Sequence, residues 1–224
     1  MQERIHGKNI TIFGNLDAER LVLYTAFGEE GENIWQFCLE LGCPDFCLVV
    51  IGGIEWEKDL SPWPAEQLFA DSANFSGGAD AYLKELEESI VPYLEKKRES
   101  KIQRLYLAGY SLAGLFALYS GYHWHSLDGI VCASGSLWYP NFLEYAGKKQ
   151  LQGKIKAVYF SLGNREAKTK HPLMCQVAEY TQYMYALLEK QGVKTRFEWN
   201  KGGHFKACSQ RVAKGICWIL QEEK

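Results

Sequence analysis

Short runs of unbroken apolar residues, separated by stretches long enough to be helices, leave this chain few architectures. "FCLVVI" (Phe46–Ile51), "LYLA" (Leu105–Ala108) and "AVYFSL" (Ala157–Leu162) lack the polar alternation of a strand with one wet face. Strands of that kind are covered on both sides. Parallel neighbours need long crossovers, and the segments between these runs can supply them as helices. The pattern therefore predicts an α/β protein with a mostly parallel central sheet. No internal repeat or linker-like shift in composition divides the 224 residues, so residues 1–224 are read as a single domain. A domain of that size buries roughly 70% of its unfolded surface and needs no disulfide or metal staple.

The remaining strand candidates are "ITIFG", "RLVLYTA", "GIVCAS" and "KTRFEWN". Helical periodicity covers "ENIWQFCLEL", the run after Ser111, a short stretch near 142–149, and roughly 173–191 and 206–220. Gly192 stands where a left-handed cap would end the 173–191 helix. A longer helix is expected over about 78–97, with Ala79, Tyr82, Leu83, Leu86, Ile90 and Leu94 on one stripe. Pro92 should kink it by removing a backbone donor. Between about 55 and 77, Pro62, Pro64 and the glycines predict no regular element. Trp56, Trp63, Phe69 and Phe75 argue against disorder there, and long ordered loops in compact domains usually carry function.

Composition removes several function classes. A formal net charge of −2 gives no electrostatic footprint for nucleic acid, and "EKKRES" reads as the solvated end of a helix. No apolar run reaches the roughly 18 residues of a membrane span. The first residues, "MQERIHGKNITIFG", are charged where a signal peptide would be apolar. Seven cysteines at irregular spacing, without a C-x-x-C pair, read as reduced thiols rather than metal ligands. A cytoplasmic location with no metal and no cofactor is the expectation.

The stretch with chemical content is "LYLAGYSLAGLFALYS", Leu105–Ser120. A serine hydroxyl is a poor nucleophile at neutral pH. It needs a base, an acid behind the base, and donors for the oxyanion. Ser111 stands where a buried strand meets a helix. A sharp turn there exposes the hydroxyl and crowds the residues two before and two after, so both must be small. Gly109 obeys the G-x-S-x-G pattern; Ala113 departs from it, with Gly114 one place late. A tightly packed structural turn is the plain alternative.

Four histidines follow Ser111. His123 and His125 read as surface or rim residues, and His171 as a candidate for the pocket rim. His204, in "EWNKGGHF", follows the last strand on a loop that Gly202 and Gly203 let fold back. For the acid, "YFSLGNRE" places Glu166 just past a strand end. Each has a bland reading too: an inert histidine in a glycine-rich loop, a solvated loop carboxylate. The order Ser–Glu–His matches that of α/β-hydrolases. The backbone N–H of Leu112 is expected to serve the oxyanion, with Phe27, in "AFGEEGEN", as the second donor.

Taken together, "AFGEEGENIWQ", "DLSPWPA", "FSGGADAYLKELEESIVPYLE", "AGYSLAGLFALY", "ASGSLWYP", "YFSLGNREAKTKHPLM" and "FEWNKGGHF" resemble the esterase D-like group of α/β-hydrolases, which includes the enterochelin and other siderophore esterases. The resemblance implies a three-layer α/β/α sandwich with a minimal cap, Ser111 as nucleophile, His204 as base and Glu166 in the acid position. It also implies that the loop bearing Trp63, together with Trp138, walls the substrate pocket. Trp138 has core packing as its other reading. Arg165 and Lys168 beside the acid could draw an anionic substrate or be ordinary surface charges. Three functions fit: a serine carboxylic ester hydrolase acting on a small-molecule ester (a siderophore or sugar ester among them), an acyltransferase on the same fold, or a non-catalytic binding protein. No nucleic acid or membrane partner is expected.

Overall fold

The structure is a computed structural model that describes residues 2–67 and 73–222; Phe69 lies outside them. The chain opens with a hairpin that the sequence does not announce. In it β1 (Gln2–Ile5) pairs antiparallel with β2 (Lys8–Gly14) across His6 and Gly7. Both turn residues have positive φ, 49° and 85°, as a two-residue turn matched to strand twist requires. Then come β3 (Arg20–Thr25), α1 (Gly31–Glu40), β4 (Cys47–Gly52) and α2 (Trp56–Asp59). The two-residue strands β5 (Pro64–Ala65) and β6 (Phe75–Ser76) pair with each other. The stretch expected to lack regular elements thus holds a short helix and a small ribbon. Pro64 is compatible with the ribbon, because a strand edge does not need its missing donor.

Next follow α3 (Ala79–Glu85), a five-residue π-turn (Leu86–Ile90) and α4 (Val91–Lys96). Pro92 does not break this helix. The turn before it widens, so that the Val91 N–H reaches the Leu86 carbonyl. The rest alternates: β7 (Arg104–Tyr110), α5 (Leu112–Ser120), β8 (Gly129–Ala133), α6 (Phe142–Gly147), β9 (Ala157–Gly163), α7 (Val177–Lys190), β10 (Lys194–Asn200) and α8 (Cys208–Gln221). Gly192 takes φ 84° beyond α7.

The main sheet runs β1-β2-β4-β3-β7-β8-β9-β10, antiparallel at β1, β2 and β4 and parallel from β4 to β10. Successive residues of the buried strands feed opposite layers. Leu21, Leu23, Val49, Leu105 and Leu107 pack under α3 to α7, whereas Val22, Tyr24, Val50, Tyr106 and Ala108 pack under α1 and α8. That period of two in an unbroken apolar run is what covering both faces demands. Register brings the carboxyl ends level: Thr25 pairs with Ile51 and Gly109, Tyr110 with Ala133, and Ala133 with Ser161. The loops that follow these strands therefore meet along one edge, where parallel sheets carry their sites. Among the described residues, no helix is long and apolar enough to cross a membrane.

Candidate active site

The turn after β7 is as sharp as its sequence suggests. Ser111 has φ 57° and ψ −122°, and its own N–H bonds the Ala133 carbonyl at 3.1 Å. A Cβ on Gly109 would lie 2.1 Å from the Ala113 carbonyl oxygen, so only glycine fits there. The crowding falls on Gly109, and the methyl of Ala113 is tolerated. α5 starts at Leu112, whose N–H has no carbonyl four residues back within the helix to bond.

Three groups that lie far apart in sequence converge on this turn. His204 Nε2 lies 2.9 Å from Ser111 Oγ, and His204 Nδ1 lies 2.7 Å from Glu166 Oε2. Ser136 Oγ is 3.4 Å from Ser111 Oγ. The Glu166 side chain is only 3% exposed against 24% for His204. Burial pushes the Glu166 carboxyl up. The hydrogen bond and charge of His204, the Gly163 N–H and the Ser134 hydroxyl outweigh it and hold the carboxyl below its ordinary value.

The second Glu166 oxygen is tied more heavily than the first. Oε1 accepts from Gly163 N–H at 2.6 Å, Ser134 Oγ at 2.9 Å and Arg211 Nη1 at 2.5 Å. Arg211 is fully buried and also donates to the Tyr110 hydroxyl (3.1 Å) and the Gly203 carbonyl (2.9 Å). Tyr110 in turn donates to the His204 carbonyl. Arg211 thus grips both the acid and the loop that carries the histidine.

Above Ser111 opens a cavity of about 560 Å³. Every loop along the level strand ends contributes: Phe27 and Glu30 after β3, Trp56 and Glu57 after β4, Ser136 and Trp138 after β8, then Glu166, His204 and Phe205. Met174 and Val177 also line it.

A family model described as "Putative esterase" matches residues 24–207, most of the chain and all of the residues just named up to Phe205. The chain belongs to this esterase family. A relative in Bacillus subtilis (strain 168), "Uncharacterized protein YbbA", is 27% identical over 180 residues, 73% of this chain and 70% of that protein. Among solved structures, an IroE-like serine hydrolase from Shewanella oneidensis superposes with a TM-score of 0.80 at 16% identity, over 99% of this chain and 80% of that one. The enterobactin esterase FES from Shigella flexneri gives 0.72 at 20% identity, over 99% and 58% respectively. These neighbours share the α/β-hydrolase fold: a mostly parallel sheet with flanking helices.

Two expected site residues fall elsewhere in this esterase. The Phe27 N–H donates to Glu30 Oε1 at 2.9 Å, so in this conformation it is not open to an oxyanion. Glu30 ends the turn into α1 and folds its carboxylate back over the preceding amides, taking Gly28 N–H at 2.8 Å as well. Phe27 instead presents its ring to the cavity. Trp63 does not line the cavity. Its indole N–H bonds the Pro140 carbonyl at 3.0 Å and its ring packs among Tyr119, Tyr139, Phe142 and Tyr145. Trp56 takes the wall position, from the loop whose short helix the sequence reading missed. Trp138 is 8% exposed, packed in the core, and also lines the cavity.

His123 bonds the Tyr145 hydroxyl at 2.7 Å, His125 is exposed, and the His171 ring accepts the Leu173 and Met174 amides; none of the three lines the cavity. Arg165 and Lys168 are exposed and outside it. Arg211 was legible only as a cation on an otherwise apolar helix stripe with Gly215 and Trp218.

Proposed function

We propose that this esterase hydrolyses carboxylic esters of small molecules through an acyl-serine intermediate. The observation that carries the reading is the unbroken chain Ser111 Oγ–His204 Nε2, His204 Nδ1–Glu166 Oε2, at 2.9 and 2.7 Å. As the Ser111 oxygen attacks the ester carbonyl carbon, its proton passes to His204 Nε2. Glu166 keeps Nδ1 protonated before the transfer and faces the imidazolium afterwards. Negative charge builds on the carbonyl oxygen, and the Leu112 N–H at the start of α5 meets it, helped by the helix dipole. The carbon–oxygen bond to the alcohol then breaks, and the alcohol leaves with the His204 proton. Water, deprotonated by the same imidazole, attacks the acyl-serine and releases the acid and free Ser111.

The family supports ester hydrolysis, and the 2.9 Å contact supports Ser111 as the group that carries it. We place the enzyme in a reducing cytoplasm, a reading supported by seven free thiols. A fluorophosphonate probe is expected to label the wild-type protein and not Ser111→Ala. A folded wild-type protein that resists the probe and turns over no aryl ester would overturn the assignment.

A further inference from the structure

The cavity above Ser111 is one-sided in charge. Strand order sets β3 and β4 on one side of β7, and β8 to β10 on the other. The β3–β4 side contributes Phe27, Glu30, Trp56 and Glu57 to the lining. These four form one group. The Phe27 and Trp56 rings meet edge to face at 5.1 Å, Glu30 accepts the Phe27 N–H, and Glu57 follows Trp56 in α2. Phe27 is 78% exposed, so its ring is available to a ligand.

The two carboxylates differ in how they are held. Glu30 is fixed by three donors, the Tyr24 hydroxyl at 3.1 Å and the amides of Phe27 and Gly28. Glu57 is half-buried; its backbone carbonyl accepts from the Ser61 hydroxyl at 2.7 Å, whereas its carboxylate makes no hydrogen bond or ion pair among the described residues. Neither faces a basic side chain: among the described residues, no lysine or arginine lines the cavity. Lys58, next to Glu57 in sequence, pairs with Glu55 at 2.6 Å, and Arg211 pairs with Glu166. The third carboxylate of the cavity, Glu166, is matched by Arg211 and His204. Glu30 and Glu57 are left as negative charge beside aromatic rings.

That combination suits a cation leaving water. The ring faces attract it through their quadrupoles, and the carboxylates add Coulomb attraction that strengthens as solvent is displaced. An anion in the same place would meet the repulsion of both carboxylates. We propose that this cavity selects esters bearing an ammonium group, quaternary or protonated, which lodges between the rings of Phe27 and Trp56 and the carboxylates of Glu30 and Glu57. The proposal rests on the ester-hydrolase reading of Ser111 and adds to it the charge class of the substrate.

Butyrylcholine and its neutral isostere 3,3-dimethylbutyl butyrate, followed by pH-stat titration, provide the test. The kcat/KM ratio of cationic to neutral ester is expected to fall about fivefold in Glu57→Gln, a comparison in which intrinsic ester reactivity cancels. A ratio unmoved by the substitution would overturn the proposal. Titration calorimetry on Ser111→Ala protein supplies a readout without turnover: phenyltrimethylammonium is expected to bind and benzoate not to. Equal binding, or binding of benzoate alone, would overturn it as well. Fluorophosphonate labelling separates the two levels. Labelled, active protein with no charge preference defeats this inference alone, whereas unlabelled protein with no ester turnover defeats the hydrolase reading with it.

Discussion

Glu166 remains below its ordinary pKa although burial alone would raise it, because the hydrogen bond and charge of His204, the Gly163 N–H and the Ser134 hydroxyl outweigh burial. Two predictions follow from that balance. Glu166→Gln keeps the shape but leaves the wrong partner for Nδ1–H, and kcat on an aryl ester is expected to drop by about 10⁴. The same substitution should change the acid limb of stability. A carboxyl held below its unfolded value stabilises the fold fully above about pH 4.3, and that contribution is lost as pH falls through the folded value. Urea midpoints measured against pH should therefore fall more steeply below about pH 4 for wild type than for Glu166→Gln. Arg211→Met leaves a buried carboxylate without its cation and removes a donor from the Gly203 carbonyl and from the Tyr110 hydroxyl. A loss of about 3–5 kcal/mol by urea unfolding is expected.

At the scale of elements, the strand–turn–helix of β7, Ser111 and α5 is the most constrained piece. Its geometry explains why the sequence can end its motif in Ala113. The clash that forbids a side chain lies between position 109 and the carbonyl of residue 113, and it does not reach the Ala113 methyl. Gly109→Ala is expected to cost about 3 kcal/mol or more and to abolish fluorophosphonate labelling, since the turn must open to admit the methyl. Circular dichroism melts alongside labelling would check both. The Leu86–Ile90 π-turn shows the opposite outcome. There the helix absorbs Pro92 by widening one turn instead of ending, and the apolar stripe from Ala79 to Leu94 stays buried on both sides of it.

At the scale of the whole molecule, the two apolar layers account for where the thiols sit. Cys38, Cys47, Cys132 and Cys217 are buried, and burial pushes the thiols of Cys47 and Cys132 up to about 12. The thiolate is the reactive form, so these four are expected to be silent to a disulfide reagent such as DTNB in the native state. Cys175, which is exposed, should react first, followed slowly by the half-buried Cys43 and Cys208. Titration across a urea gradient should release the remaining four together with unfolding. Early release of Cys132 would show that the sheet opens locally beside the Ser111 turn.

The larger strands and crossovers, the Ser111 turn, and the loops that carry His204 and Glu166 could be read along the chain, whereas β1, α2 and the β5–β6 ribbon could not. Each legible feature depends on local rules: apolar runs covered on two faces, small residues at a tight turn, loops after strand ends. Tertiary packing decided what depends on which surfaces meet. The Phe27 amide went to Glu30 because a nearby carboxylate satisfies two free donors at once. Trp63 was drawn into an aromatic cluster built from three later segments, and Trp56 was left to wall the cavity. Arg211 became the partner of Glu166 only when α8 docked under β8 and β9 and brought a cation 45 residues away in sequence onto a buried carboxylate.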